Sequence, residues 1–214
     1  MEITYLGHSS FKLRGRSAVV VTDPYNPEKT GMKFPKVAAD IVTISHGHAD
    51  HSWGEGVEGD PLIISGPGEY ESKGIKIFGL STYHDQSKGS ERGLNTIYRI
   101  EIDGIYIVHL GDLGHKLDDK TLDALDGVNV LLIPVGGYYT ISADIASEVV
   151  SQVEPDIVIP MHYRTESHKA ESFAKVATLD VFLKQMGKEN LAPVPKLLVT
   201  KDKLPSEMTV VVME

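Results

Sequence analysis

Between Ser45 and His51 the chain reads Ser-His-Gly-His-Ala-Asp-His, which crowds His46, His48, Asp50 and His51 onto one short loop. Imidazole and carboxylate are the usual protein ligands for zinc and similar divalent ions. The run follows an apolar strand, Asp40-Ile41-Val42-Thr43-Ile44, so the polar groups fall where a strand gives way to a loop. Sheet proteins commonly place their chemistry there. His46 and His48, two apart on extended backbone, project from the same face and can share one ion. Asp50 and His51 follow as the chain turns and can address a second ion beside it. The competing reading is a polar, glycine-containing loop that happens to be rich in histidine. Imidazoles and an acid at this density in an ordered loop repel or compete unless a cation organises them.

The rest of the chain can support such a site. Its 214 residues are most simply one domain, 1–214, long enough to bury a sizeable core. A net charge of −9 disfavours a sequence-independent grip on nucleic acid, which needs clustered Lys and Arg. It leaves room for an anionic small molecule, because bound cations supply a positive field locally. The absence of cysteine removes disulfides, thiolate nucleophiles and thiolate ligands. The opening Met1-Glu2-Ile3-Thr4-Tyr5 has neither a basic region nor a long apolar stretch, and no apolar run can span a bilayer. The expected location is therefore cytoplasmic, with no membrane partner; a homo-oligomer is left open.

Strands are expected at residues 3–6, 10–13 and 18–21, the last ending at Asp23-Pro24, and a Pro-, Gly- and Lys-rich loop over 25–36 is placed to lie over the site. Further strands are expected at 62–64, 75–82, 95–102, 105–110 and 130–134, with a turn at Gly66-Pro67-Gly68. Asp156 to His162 echoes Asp40 to His46: Asp opens an apolar strand and His closes it. The strand pair leading into Asp112 likewise echoes the one leading into Asp23, which suggests an internal pseudo-duplication. Amphipathic helices are expected at 118–125, at 142–153 behind a Ser cap, and as one continuous element over 172–186. Two closing strands are expected at 197–199 and 208–212.

Two ions need more ligands than one loop provides. Other strand ends offer His84, after the strand at 75–82; Asp112, preceded by Gly111; and His162. Each also has a plainer reading, as a strand-edge histidine, a turn residue and a strand terminator.

The pattern His46-x-His48-x-Asp50-His51 resembles the signature of the metallo-β-lactamase-fold hydrolases. That resemblance implies an α+β chain folded as an αββα four-layer sandwich. It further implies His84 as third ligand of the first metal, Asp112 as the bridging carboxylate and His162 as last ligand of the second. The metal set is then His46, His48, Asp50, His51, His84, Asp112 and His162, holding two divalent ions. Zinc is the first choice, with Mn2+ or Fe2+ as alternatives for an all-N/O site. Gly7-His8-Ser9, Thr22-Asp23-Pro24, Gly137-Tyr138-Tyr139-Thr140 and Pro160-Met161-His162 look like those of a small lactonase-like branch that includes ascorbate-6-phosphate lactonase.

The implied function is hydrolysis of a small ester, lactone or phosphoester by a metal-bound hydroxide in a dinuclear site, with Asp50 and Asp112 as the catalytic carboxylates. The alternatives are a metal-binding protein without turnover and a nuclease or phosphodiesterase of the same fold. A flavin-linked di-iron oxidoreductase of this fold usually has Glu where this chain has His48. Supporting or substrate-facing positions are His8, Asp23, His115 and Tyr139. Asp23 is placed to accept the second N–H of a ligand imidazole, against the reading of a plain Asp-Pro turn. His109 is expected to be a packed core residue and His168 to lie on the surface. The lack of Gly-x-Ser-x-Gly leaves a serine hydrolase unsupported.

Overall fold

The computed structural model describes residues 1–214, residue 170 by its backbone alone. In chain order the elements are β1 (Glu2–Gly7), β2 (Ser10–Arg14), β3 (Val19–Thr22), α1 (Pro27–Thr30), β4 (Ile41–Ile44), β5 (Leu62–Ser65), β6 (Gly68–Ser72), β7 (Ile75–Tyr83), β8 (Leu94–Ile102) and β9 (Ile105–His109). They continue with α2 (Asp119–Ala124), β10 (Val130–Pro134), α3 (Ala143–Val153), β11 (Ile157–Met161), α4 (Ala170–Phe173), α5 (Leu179–Gln185), β12 (Leu197–Leu198) and β13 (Thr209–Val210). One mixed sheet runs β12-β1-β2-β3-β4-β5, and the other runs β13-β11-β10-β9-β8-β7-β6.

Alternation along the strands builds the layers. Val20 and Ile41 from the first sheet meet Ile100, Ile107, Val130, Leu132 and Ile159 from the second in a buried apolar core. The intervening Val108, Leu131, Ile133 and Val158 face the other way and pack on Ala146, Val149 and Val150 of α3 and Phe182 of α5. The outer face of the first sheet is covered differently. Val21 and Val42 are capped by Tyr25, Phe34 and Val37, from a long connection in which α1 is a single turn, and by Val57 from the loop after β4. The architecture is the expected α+β sandwich, with one outer layer made mainly of loop.

The pseudo-duplication is legible in strand pairing. Along β1-β2-β3-β4-β5 the pairings are antiparallel, antiparallel, parallel, parallel. Along β7-β8-β9-β10-β11 they follow the same sequence. This pattern sets Asp23 after β3 opposite Asp112 after β9, as expected. It also corrects the other echo. The counterpart of β4 is β10 and that of β11 is β5, so the likeness of residues 40–46 to 156–162 is one of strand type, displaced by one strand. The repeat makes β1, β3 and β4 run parallel, and likewise β7, β9, β10 and β11, which gathers their C-terminal ends along one rim.

Two further expectations change. The helix at 172–186 is two pieces, because the Ala177 N–H donates to Gly136 O at 2.7 Å and Ala177 O accepts from Arg164 N at 2.9 Å. Those bonds take the backbone out of the helical ladder, and α5 restarts behind Thr178. The turn at 66–68 opens into β6, a strand pairing with β7 whose polar sequence Gly-Glu-Tyr-Glu-Ser carries no apolar alternation. Among the described residues no helix is long and apolar enough to cross a membrane.

Candidate metal centre

Strand ends deliver every ligand candidate to the shared rim. Ser45 and His46 follow β4, His84 follows β7, Asp112 lies just beyond β9 and His162 follows β11. His8 sits in the tight turn between β1 and β2. Three of these rim residues, His8, Asp23 and His162, adopt left-handed backbone at φ 55°, 39° and 52°. Such conformations cost on the order of 1–3 kcal/mol each and persist where surrounding structure enforces them.

The enforcement is visible in bonds crossing between the sheets. His162 N donates to His8 O at 2.9 Å, and Thr96 N donates to Ser45 O at 2.8 Å. Asn95 is buried at the same edge. Its Nδ2 donates to Leu110 O and Thr82 Oγ1, both at 2.9 Å, and its Oδ1 accepts from Asp112 N at 2.9 Å. Gly111 is required here: it has φ +56°, and a Cβ would fall 2.3 Å from Asn95 Oδ1. Gly136 is required by crowding, since a Cβ there would meet His162 O at 2.1 Å. It lets the β10 end pass the β11 end.

Asp112 stands at the middle of the cluster. Its Oδ2 lies 3.2 Å from His84 Nε2, 3.2 Å from His162 Nε2, 3.3 Å from His51 Nε2 and 3.8 Å from His46 Nε2. His46, His48 and His84 converge on one side of it. Asp50, His51 and His162, with His8 beside them, converge on the other. His8, His51, His84, Asp112 and His162 are buried, whereas His48 is exposed and Asp50 partly so, and the cluster opens on their side.

Asp23 makes the imidazole contact expected of it and one more. Its Oδ2 accepts from His51 Nδ1 at 2.8 Å. It also accepts from the Ser45 hydroxyl, which is 2.9 Å from His46 Nδ1, and its Oδ1 accepts from Ser45 N at 2.8 Å. One buried carboxylate therefore sets two imidazoles, His51 directly and His46 through Ser45, each with Nδ1 as donor and Nε2 turned toward the cluster.

The donor set fits divalent cations. The Nε2 atoms of His46 and His51 and Oδ1 of Asp112 are buried without a hydrogen-bond partner among the described residues. Polar atoms so placed cost roughly 1–3 kcal/mol each, unless an ion takes them up. The electrostatics agree. Burial, reinforced by His51, pushes His46 down to about 3. For His51, burial is outweighed by the Asp112 and Asp50 carboxylates, which hold it well above its ordinary value. Burial would raise Asp112, yet His162 and His51 hold it well below the usual carboxylate range. A neutral imidazole beside a proton-holding one, around an ionised carboxylate, is a pocket built for positive charge.

The remaining candidates divide. His115 is occupied by backbone on both ring nitrogens: Nε2 accepts from Tyr83 N at 3.2 Å and Nδ1 donates to Lys116 O at 2.7 Å. It braces the strand end that carries His84 and is not turned into the cluster. The Tyr139 hydroxyl donates to Ser172 O at 3.0 Å, leaving its ring to line a cavity beside His84. His109 is the packed core residue expected, with Nε2 donating to Ser9 O and Nδ1 accepting from Gly111 N. The 25–36 loop buttresses the motif, with Asn26 N donating to Ala49 O. His168 is a correction: it is buried, against His8 and Phe173. The positions that sequence reasoning missed are Ser45, Asn95 and His168. Ser45 and Asn95 left a faint signal, a small polar residue at a strand end.

A two-sheet sandwich with a histidine- and aspartate-lined rim defines a metal-dependent hydrolase fold of the metallo-β-lactamase type. Residues 2–162 match the Beta-lactamase superfamily domain, and the chain belongs to that superfamily. More particularly, it is 30% identical to a UPF0173 metal-dependent hydrolase of Thermoplasma acidophilum over 77% of this chain and 84% of that one. A UPF0173 metal-dependent hydrolase of Archaeoglobus fulgidus is also 30% identical over 77% and 84%. The crystal structure of a Thermotoga maritima protein, provisionally described as a Zn-dependent hydrolase of the metallo-beta-lactamase superfamily, superposes with a TM-score of 0.80 at 37% identity. It covers 99% of this chain and 97% of its own. The protein is a metal-dependent hydrolase of this fold.

Proposed function

We propose that the protein hydrolyses a small ester, lactone or phosphoester at a dinuclear centre, with zinc the first choice of metal. His46, His48 and His84 would hold one ion and Asp50, His51 and His162 the other, with the Asp112 carboxylate central to both groups. The observation carrying this reading is the placement of four Nε2 atoms within 3.2–3.8 Å of one Asp112 oxygen. Bound ions supply the charge that polarises a carbonyl or phosphoryl oxygen and bring the pKa of a water toward neutrality. The chain's own residues do the rest. Asp23 and Ser45 fix the ring orientations, Asp112 keeps the two halves together, and Asp50, at the open side, is placed to orient an attacking water.

The substrate reading rests on a cavity of about 270 Å³ beside His84, lined by Arg92, Tyr138, Tyr139 and Gly114 among others. Its size suits a small molecule. Arg92 is the cationic group of that lining, which Asp85 and Glu91 share; its guanidinium lies 5.9 Å from the Tyr139 ring centre and 4.0 Å from Glu91. We therefore favour a substrate with a carboxylate or phosphate group, in keeping with the lactonase-like branch, over nucleic acid.

The test is metal analysis of the purified chain followed by a panel of lactones, thioesters, carboxylate esters and phosphodiesters. Two ions per chain and turnover of a small anionic substrate, weakened in Arg92→Ala chiefly through KM, are expected. Bound metal with turnover of none of them would favour a metal-binding protein without catalysis. No bound metal would end the proposal.

A further inference from the structure

The His8 side chain is fully buried beside Asp50, His51 and His162, and two roles fit that position. It can be a further metal ligand, with Nε2 bare, or an N–H donor to the Asp50 carboxylate. Proximity does not separate them, because His8 Nε2 is 3.4 Å from Asp50 Oδ2 and has no regular hydrogen-bond partner. The answer lies further from the centre, where a chain of hydrogen bonds ends on a group that can act in one direction only.

That group is the Thr165 backbone amide. It donates to His168 Nδ1 at 3.1 Å. A backbone N–H cannot accept, so His168 Nδ1 carries no proton and the neutral ring must carry one on Nε2. His168 Nε2 faces His8 Nδ1 at 3.4 Å. The proton of that bond belongs to His168, so His8 Nδ1 is the acceptor and is bare. The single proton of the neutral His8 ring is then on Nε2, aimed at Asp50. The opposite polarity would give His8 a bare Nε2, but it would set an N–H on His168 Nδ1 directly against the Thr165 amide. The Thr165 hydroxyl, 2.9 Å from the same nitrogen, adapts to either case and decides nothing.

We infer that His8, oriented by the relay Thr165–His168–His8, is a positioning residue that donates to Asp50 and is not a ligand of either ion. The relay crosses the fold: His8 lies between β1 and β2, while Thr165 and His168 follow β11. The rings are held for the task. His8 has left-handed backbone at φ 55°, its carbonyl accepts from both Tyr5 Oη and His162 N, and Phe173 packs against both imidazoles. An Asp50 oxygen tied to His8 is one the carboxylate cannot swing away from the cluster. The inference rests on the proposed metal centre for its purpose, though not for its tautomers.

The test has two arms. In the metal-free full chain, long-range 15N–1H NMR of the imidazoles reports which nitrogen is protonated. His8 and His168 are both expected as neutral Nε2–H tautomers, unchanged in Thr165→Ala, which keeps the amide. A proton on Nδ1 of either ring overturns the inference. This arm needs no metal, so it stands even if the purified protein binds none and the proposed function falls.

The second arm is chelator competition for the bound ions. His168→Leu removes the donor to His8 and is expected to weaken one ion tenfold or more, the usual effect of losing such a supporting group. His168→Gln, whose amide can replace the Nε2–H, is expected to restore affinity to within about threefold of wild type, which a merely space-filling role would not do. Equal losses in both variants, or direct coupling of His8 Nε2 to 113Cd in the cadmium-loaded protein, would overturn it.

Discussion

Asp23 Oδ2 accepts from His51 Nδ1 at 2.8 Å, and both residues are completely buried, one after β3 and the other in the motif loop that follows β4. A carboxylate that serves an imidazole this way sets its tautomer, and here it also reaches His46 through Ser45. Asp23→Asn is expected to stay folded by circular dichroism and to lose ten- to a hundredfold in metal affinity. Chelator competition measures it, and wild-type affinity in the variant would remove the role assigned to Asp23.

Asp112 has the opposite profile, since it anchors no strand through its side chain. Asp112→Ala should remain soluble and folded while losing bound metal and turnover together. Inductively coupled plasma mass spectrometry on the purified variant gives the stoichiometry. A fully metallated, fully active Asp112→Ala would show that the carboxylate does not join the two halves.

In the metal-free protein the Asp112 and Asp50 carboxylates outweigh the burial of His51 and hold its pKa well above the ordinary value, so His51 is expected to carry a proton at neutral pH. An ion needs the same nitrogen bare. Loading with Zn2+ at pH 7 is expected to release about one proton per chain from this residue. Calorimetric titration in buffers of different ionisation enthalpy reads the number directly, and no dependence on buffer would contradict it.

The same shift predicts how the metal-free chain responds to pH. A histidine whose pKa is higher folded than unfolded stabilises the fold fully below its unfolded value, near 6.5, and progressively less as pH rises through the folded one. Asp112 and Asp50 act in the reverse sense: their lowered values stabilise above the ordinary carboxylate pKa, and that contribution is lost as pH falls. The buried neutral rings of His8 and His46, both pushed down to about 3, add stability as the pH rises through the unfolded histidine range, so denaturant midpoints of the metal-free protein should decline only above it, from roughly pH 8 upward. Metal-loaded protein should not follow that decline, because the ion has replaced the proton.

Asn95 tests the rim itself. Asn95→Ala would leave Asp112 N–H and Leu110 O without partners in a buried edge, a loss of about 2–4 kcal/mol that also loosens Asp112. Lys73→Ala, removing an exposed ion pair with Asp40, is expected to cost under about 0.5 kcal/mol. Urea unfolding of the two variants separates them, and equal costs would show that the Asn95 network is not structural.

The motif and the strand calendar were legible without coordinates because both are local. Apolar alternation names a strand wherever one face is buried, and imidazoles two apart on extended backbone project together whatever the sheet around them. His84, Asp112 and His162 could also be picked out, since each closes such a strand. What failed was the polar edge strand β6, which has no buried face to advertise, and the helix at 172–186, which is broken by backbone bonds to Gly136 and Arg164.

Tertiary structure alone decided which distant groups meet. His168 reads as surface beside Lys169 and Glu171, yet it reaches His8 because the chain after β11 folds back over the rim. His115 follows Asp112 closely and still turns away, to the backbone of Tyr83. Residue types and their periodicity thus determined the kind of chemistry and the strands that carry it. Tautomers, hydrogen-bond direction and the order of strands across a sheet depend on contacts between residues up to 160 positions apart, and no local pattern encodes those.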